Sequence, residues 1–469
     1  MKDWNIPGAA LLVVKDGEVV LSRAYGVKEY GKTERVDENT LFMIASNTKA
    51  FTGTAMAMLV SEDKCNLDDR VKKWLPDFTM KDPWVTEHVT LTDIMCHRLG
   101  LETFQGDFMY WESDLTRDQV IQKFGELTPM YDFRAKWGYC NAGFVIAGKC
   151  LEEISGVSWQ DFLKENIFEP LEMNRTLALN SEYNGADNVC SAHTLVDSKI
   201  TVVPSDRNDN LAAAAGISSS INDLSHWILA LLDSGRYQGK QVIPWQAIQT
   251  TRLPVSIIGE GRHPFNSGHF SLYGLGWELE DYAGKEIVSH TGGTDGFVTS
   301  VTLLPEEDLG VVVLTNSDMN GFYQAFKWEI IDAYLGLPYR NYSKYFLQRY
   351  NRYFGAKQSM VEAKKDTIAM KLAPPVKLKK FAGRYYHKIY GWADLKLEGD
   401  HLIMTLQHHP QLTGKLEHIS NNRFLCTYSI PLWGTKVFPF KVINGKVISF
   451  TLSVDDFLEF TTYEFVKQK

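Results

Sequence analysis

Cysteine is scarce in this chain. Cys65, Cys96, Cys140, Cys150, Cys190 and Cys426 are its six, spread over 469 residues without one C-x-x-C pair. Such spacing excludes a disulfide-stapled scaffold and reads as free thiols in a chain long enough to bury its own cores. Zinc-ligand spacing is missing too, and the His408–His409 pair is too little to hold a metal; neither metal nor cofactor is expected. Long apolar runs are absent. "GVVVLTN" and "WILALL" are core-sized pieces, well short of the roughly 18 residues a membrane span needs. No long basic run occurs either, and the formal net charge is −8, which argues against nucleic acid as the main partner. The opening "MKDWNIPGAALLVV" lacks the basic segment and apolar core of an export signal, so the chain reads as cytoplasmic or as trimmed behind its leader. Internal repeats and low-complexity tracts are absent as well.

What is present is an ordinary globular composition, 44% hydrophobic and 23% charged, whose length predicts two or three domains. "AALLVVKDGEVVLSRAYG" sets two apolar runs around Asp16-Gly17, the pattern of a type I′ hairpin. "FVTSVTLLPEEDLGVVVLTN", far along the chain, is a second pair of strands around a polar turn. Between them "SNTKAFTGTAMAMLVSED", "CNAGFVIAGKCLEEIS" and "SINDLSHWILALLDSG" show helical spacing, the last with Ser220 or Asn222 as N-cap. An α+β domain is therefore expected over 1–340: an antiparallel sheet built from distant segments, flanked by helices, beside a helical lobe. A basic, aromatic helix and a Pro-Pro stop make 341–376 a connector. Residues 377–469 alternate in short runs between Gly-Asp, Asn-Asn and Asn-Gly turns, which predicts a small all-β barrel or sandwich.

Three short stretches could carry chemistry. In "MIASNTKAF" Ser46 and Lys49 stand three apart at a helix start, so one turn brings amine and hydroxyl onto the same face. A partly desolvated lysine can take the serine proton; otherwise Ser46 only caps the helix, and "SEDK" at Ser61–Lys64 matches equally well. In "WGYCNAGF" Tyr139 and Asn141 lie two apart and can face one site. The plainer reading is an aromatic packed under a helix with Asn141 as N-cap, and "YRN" at Tyr339–Asn341 repeats the pattern. "SHTGGTDGFVTS" places His290 ahead of Gly292 and Gly293, where bare backbone can approach a ligand. Its N–H groups, with that of Ser46, could form an oxyanion hole, or the glycines could merely turn the chain.

The ordered set S-x-x-K, Y-x-N and H-T-G resembles the serine β-lactamase and penicillin-binding-protein superfamily. The likeness is to its class C-like branch of β-lactamases, D-alanyl-D-alanine carboxypeptidases, D-aminopeptidases and esterases. "NIPGAALLVVKDGEVV", "CNLDDRVKKWLPDF", "LTDIMCHRLGL", "FEPLEMNRT", "YGLGW" and "LGVVVLTN" agree with that family's text, from about Trp4 to Leu335. The resemblance implies Ser46 as the nucleophile of an acyl-enzyme, with Lys49 and Tyr139 sharing proton transfer. Asn141 would bind the substrate amide or the lysine, and the N–H groups of Ser46 and Gly293 would form the oxyanion hole. Gly292 and His290 would line the substrate strand, and His97 would be structural. Class C β-lactamases carry lysine where His290 stands, so weak β-lactam turnover is expected and small peptides or esters are favoured, those with D-residues included. A sensor that acylates without turnover, a true β-lactamase, or a non-catalytic homologue whose β module binds an apolar ligand are the alternatives. "LKKFAGRYYH" resembles the opening of the lipocalin-like domain found in some members, where it restricts the active-site entrance or supports assembly. By the same resemblance the protein would be periplasmic or secreted, acting on a small molecule or short peptide, with a homo-oligomer open to it.

Overall fold

The computed structural model describes residues 1–205 and 208–469, which divide into two compact units. The first holds Met1–Leu101 with Thr128–Gln348, and the second Glu102–Leu127 with Arg349–Lys469.

An eight-stranded antiparallel sheet organises the first unit. β1 (Gly8–Lys15) and β2 (Glu18–Gly26) form the N-terminal hairpin, and Asp16 and Gly17 turn it with φ of 52° and 75°, the positive pair a type I′ turn requires. β3 (Ser256–Arg262), β4 (Ser267–Tyr273), β5 (Glu278–Tyr282), β6 (Lys285–Thr294), β7 (Phe297–Leu304) and β8 (Leu309–Thr315) follow far downstream. The strand order is β2-β1-β8-β7-β6-β5-β4-β3, so the first hairpin pairs with the last strand, Ala9 opposite Thr315. Every residue of β7 and β8 is buried because helices cover both faces of the sheet. A Cβ on Gly310 would lie 2.3 Å from Ile228 of α3 (Ile221–Leu232). Val311, the next residue and hence on the other face, packs with Ala325 and Trp328 of α4 (Phe322–Tyr334). Two further helices, α1 (Thr48–Ser61) and α2 (Asn141–Ser155), match the helical stretches of the sequence. β3 and β4 were not anticipated: they leave Ile257 73% and Phe270 61% exposed, so the two-residue alternation that marks a half-buried strand is missing from "SIIGEGRHPFNSGHFS".

In the second unit eight strands run as an antiparallel meander. They are β9 (Gly383–His387), β10 (Gly391–Glu398), β11 (His401–Leu406), β12 (His409–Ser420), β13 (Arg423–Tyr428), β14 (Thr435–Ile443), β15 (Lys446–Leu452) and β16 (Tyr463–Lys467). β16 pairs with β9, and the sheet closes into a barrel, which leaves no open edge. Aromatic rings fill it: Phe440 and Phe465 lie 5.3 and 5.4 Å from Phe450, and Tyr385 lies 5.0 Å from it. Trp433 is fully buried, while Trp392 packs on Tyr386 at the surface. The helix α5 (Tyr342–Ala369) precedes the barrel and stops short of Pro374-Pro375. All six cysteines are free and buried, and burial pushes the Cys96 thiol up to about 12. Among the described residues no helix is long and apolar enough to cross a membrane, and no His, Cys, Asp or Glu group could hold a metal ion.

Candidate active site

Ser46 sits on a tight strand–turn–helix. The two-residue strand Phe42–Met43 leads into a 3-10 turn, Ala45–Asn47, from which α1 starts at Thr48. Ala45 has φ of 47°, a left-handed conformation that costs a residue with a Cβ about 1–2 kcal/mol. Packing holds it there. Asn47 Nδ2 donates to the Ile44 carbonyl at 3.1 Å and to Thr299 Oγ1 at 2.9 Å, and the Thr299 hydroxyl donates to the same carbonyl at 3.0 Å. Gly292 stands opposite Thr299 on β6, and a Cβ on it would lie 2.0 Å from the Ile44 oxygen. Only glycine lets this strand come so close to the serine turn. Ser46 itself is half-buried between buried neighbours, and its hydroxyl is not spent on capping, since Asn47 occupies the N-cap.

Lys49, one turn on, is fully buried. Its Nζ lies 3.0 Å from Ser46 Oγ, 2.7 Å from Asn141 Oδ1 and 2.9 Å from the Ala214 carbonyl. Asn141 and Ala214 present oxygens that can only accept, so two of the amine's positions are always N–H donors to them. The third faces Ser46. It is an N–H when the amine is charged and a lone pair when it is neutral, so the geometry serves both ends of a proton transfer. Asn141 opens α2, with Cys140 rather than Asn141 as N-cap, and its amide is directed at the lysine. The Tyr139 ring centroid lies 4.8 Å from Nζ, close enough for a cation–π contact.

His97 fixes the Tyr139 loop. Its carbonyl accepts from the Gly138 N–H at 3.0 Å and its Nδ1 from the Cys140 N–H at 3.0 Å. Burial, with the charge of Lys49 beside it, holds its pKa well below the usual imidazole range; the ring is neutral and acts as an acceptor. His290 is buried likewise, at 1% exposure. Its Nδ1–H donates to the Thr291 carbonyl at 2.6 Å, and its Nε2 accepts from the Tyr273 hydroxyl at 3.0 Å. Burial first, then Lys49, pushes its pKa down to about 3, so it carries no charge at working pH. Gly293 is half-buried on β6, paired with Val298 of β7.

Ser46, Lys49, Tyr139 and Asn141 thus converge, with Gly292 packed on the serine turn and His290 in the aromatic wall behind Tyr139, ring centroids 6.1 Å apart. The look-alike motifs do not. The Ser61 hydroxyl donates to the Met58 carbonyl at 2.7 Å and Lys64 pairs with Glu62 at 2.7 Å, while Tyr339 is 76% exposed. Sequence reasoning missed Asn47, Thr299, Tyr273 and the Ala214 carbonyl. Tyr273 lay within "YGLGW" and Thr299 within the glycine-rich stretch, but no spacing rule links either to Ser46.

The profile of the Beta-lactamase family matches residues 1–335, and that of a Domain of unknown function (DUF3471) matches residues 369–467. The Unguisins hydrolase ungD of Aspergillus violaceofuscus is 26% identical over 92% of this chain and 81% of that protein. The octameric penicillin-binding protein homologue from Pyrococcus abyssi superposes with a TM-score of 0.60 at 21% identity, over 96% of this chain and 93% of that one. A D-stereospecific amidohydrolase from Streptomyces sp. gives 0.57 at 20% identity, over 70% of this chain and 94% of the other.

Proposed function

The chain belongs to the Beta-lactamase family, and on that footing we propose that it is a serine hydrolase forming an acyl-enzyme on Ser46. Its substrates are small peptide bonds, those of D-residues included, or esters, and it turns over β-lactams weakly. The observation that carries this reading is the Lys49 amine, held by two obligate acceptors with its remaining position on Ser46 Oγ.

As Oγ attacks the substrate carbonyl carbon, its proton passes to the Lys49–Tyr139 pair and the carbonyl π pair moves onto oxygen. The N–H groups of Ser46 and Gly293 stabilise that oxyanion. Collapse expels the amine or alkoxide, which takes its proton from the same pair. Water then attacks the acyl ester, losing its proton to the Tyr139–Lys49 pair, and Ser46 Oγ departs with a proton from the same pair. Asn141 keeps the lysine aimed throughout and lies where it can meet the substrate amide. The hydrolase name borne by the fungal relative fits this reading, as does the D-stereospecific amide chemistry that the Streptomyces enzyme performs on the same fold.

Specificity follows from His290. A neutral ring with both nitrogens bonded inside the protein offers no fixed cation to a β-lactam carboxylate. One charge-assisted hydrogen bond lost is about 1.5–3 kcal/mol, or about 10- to 100-fold in affinity. Nitrophenyl esters and D-amino-acid amides are therefore expected to exceed a chromogenic cephalosporin in kcat/KM by at least that factor. Cephalosporin hydrolysis as fast as ester hydrolysis overturns the assignment, and a cephalosporin adduct that never clears would mark a sensor.

A further inference from the structure

We infer that the barrel is a clasp for the chain's own Glu102–Leu127 segment, and that by gripping it the barrel positions the loop that carries Tyr139. The second half rests on the role proposed for Tyr139; the first stands by itself.

The segment falls within the residues matched by the Beta-lactamase family, yet it packs in the barrel unit. In an up-and-down barrel, alternate connections lie at one end. Tyr390 between β9 and β10, His409 at the start of β12, Trp433 between β13 and β14, and Glu459 between β15 and β16 therefore share one mouth. All four grip Phe108, which is 1% exposed. Its ring stacks on Tyr390 at 4.8 Å and on His409 at 5.1 Å, and meets Trp433 edge-on at 5.5 Å. The backbone is read as well. Glu459 accepts the Gly106 N–H on one oxygen and the Phe108 N–H on the other, each at 2.9 Å, and the Tyr463 hydroxyl also donates to it. His409 Nε2 donates to the Phe108 carbonyl at 2.9 Å. An aromatic pocket, a carboxylate on two N–H groups and an imidazole on the carbonyl are the elements of peptide recognition. The mouth where barrels of this kind take small ligands holds a peptide instead.

Docking shapes the segment. Phe104 and Glu112 take left-handed backbones, φ 63° and 48°, which a free segment would relax. The grip continues along it: the Asp114 N–H donates to the His408 carbonyl at 2.9 Å, and Lys123 Nζ to the Ile389 carbonyl at 2.8 Å. Both ends of the segment run, through the chain itself, into the stem of the active-site loop. There the Tyr131 N–H donates to the Gly100 carbonyl at 2.8 Å and the Arg134 N–H to the Arg98 carbonyl at 2.9 Å. The Asp93 carboxylate ties Arg98 to Arg134, at 2.6 Å from each. The next rungs are those from Gly138 and Cys140 to His97, on either side of Tyr139. Phe108 and Glu459 are thus positioning residues, acting on Tyr139 through the stem.

Hydrogen exchange by mass spectrometry on the full chain tests this, comparing wild type with Phe108→Ala, Glu459→Gln and Phe450→Leu, the last a barrel-core control whose ring packs on Phe438, Phe440 and Phe465. Phe108→Ala should speed exchange of 102–127 about 100-fold and of 131–141 several-fold, with α1 unchanged. Glu459→Gln should do the same more mildly and keeps the test alive if Phe108→Ala misfolds. On a nitrophenyl ester kcat should fall about tenfold with KM within about twofold. Unchanged exchange at 131–141, or equal loss in Phe450→Leu, overturns the inference. A wild type that turns over no ester would sink the hydrolase reading instead, leaving the exchange result to decide the clasp.

Discussion

Lys49→Met is expected to lower kcat on a nitrophenyl ester by about 10²–10⁴-fold, the span ascribed to a positioned general base, while KM moves little. Methionine matches the length of the lysine stem and keeps the packing, so the loss isolates the amine. Two buried oxygens, Asn141 Oδ1 and the Ala214 carbonyl, would lose their donor at the same time, at about 1–3 kcal/mol each. Some fall in unfolding free energy should therefore accompany the loss of rate. Lys64→Met, in the decoy S-x-x-K whose lysine pairs with Glu62, should leave both unchanged. Steady-state kinetics with urea unfolding separates the two effects. Full activity in Lys49→Met would remove the lysine from the proton path.

Gly292→Ala should be almost as damaging, for a geometric reason. The added methyl would meet the Ile44 carbonyl at 2.0 Å, Thr299 Oγ1 at 2.5 Å and Asn47 Nδ2 at 2.9 Å. The first is backbone and cannot swing aside, so either β6 or the serine turn must shift. A displacement of about 1 Å at reacting groups can take about 10²-fold from the rate, and overpacking costs about 1–3 kcal/mol of stability. Gly259→Ala, on β3, meets nothing within 4 Å and should be silent in both kcat/KM and denaturant midpoint. A fully active Gly292→Ala would show that the strand need not approach the serine turn so closely.

The legible parts of this protein were those written in local patterns. Asp16-Gly17 announced the first hairpin and the alternating runs after Lys377 announced an all-β module, whereas Ser46, Lys49, Tyr139 and Asn141 could be named only through the family resemblance of the ordered set, because their local spacing fitted "SEDK" and "YRN" equally well. That one sheet draws strands from distant segments followed from strands at the two ends of a helical stretch, but its order, with β1 beside β8, did not. Long-range complementarity was not legible. Thr299 reaches the serine turn across 255 residues to the Ile44 carbonyl, and Tyr273 finds His290 only because β4, β5 and β6 lie side by side. Nor does "ETFQGDFMYWESDLTRDQVIQKFGEL" look different from its helical surroundings; its membership of the barrel unit depends on a pocket made by residues hundreds of positions later. Nor could the sequence show the state of His290: burial, and after it the charge of Lys49, leave its imidazole neutral.

Ser46 is the residue on which the acyl-enzyme depends. Intact-mass spectrometry of the protein treated with a fluorophosphonate should show one stoichiometric adduct, mapped by peptide digestion to Ser46 and absent from Ser46→Ala. That variant should stay folded, losing about 1–3 kcal/mol at most, since the side chain is half-buried and caps no helix and only its bond to the Lys49 amine is removed. An adduct that persists in Ser46→Ala, or turnover that survives the substitution, would place the nucleophile elsewhere and contradict the acyl-enzyme.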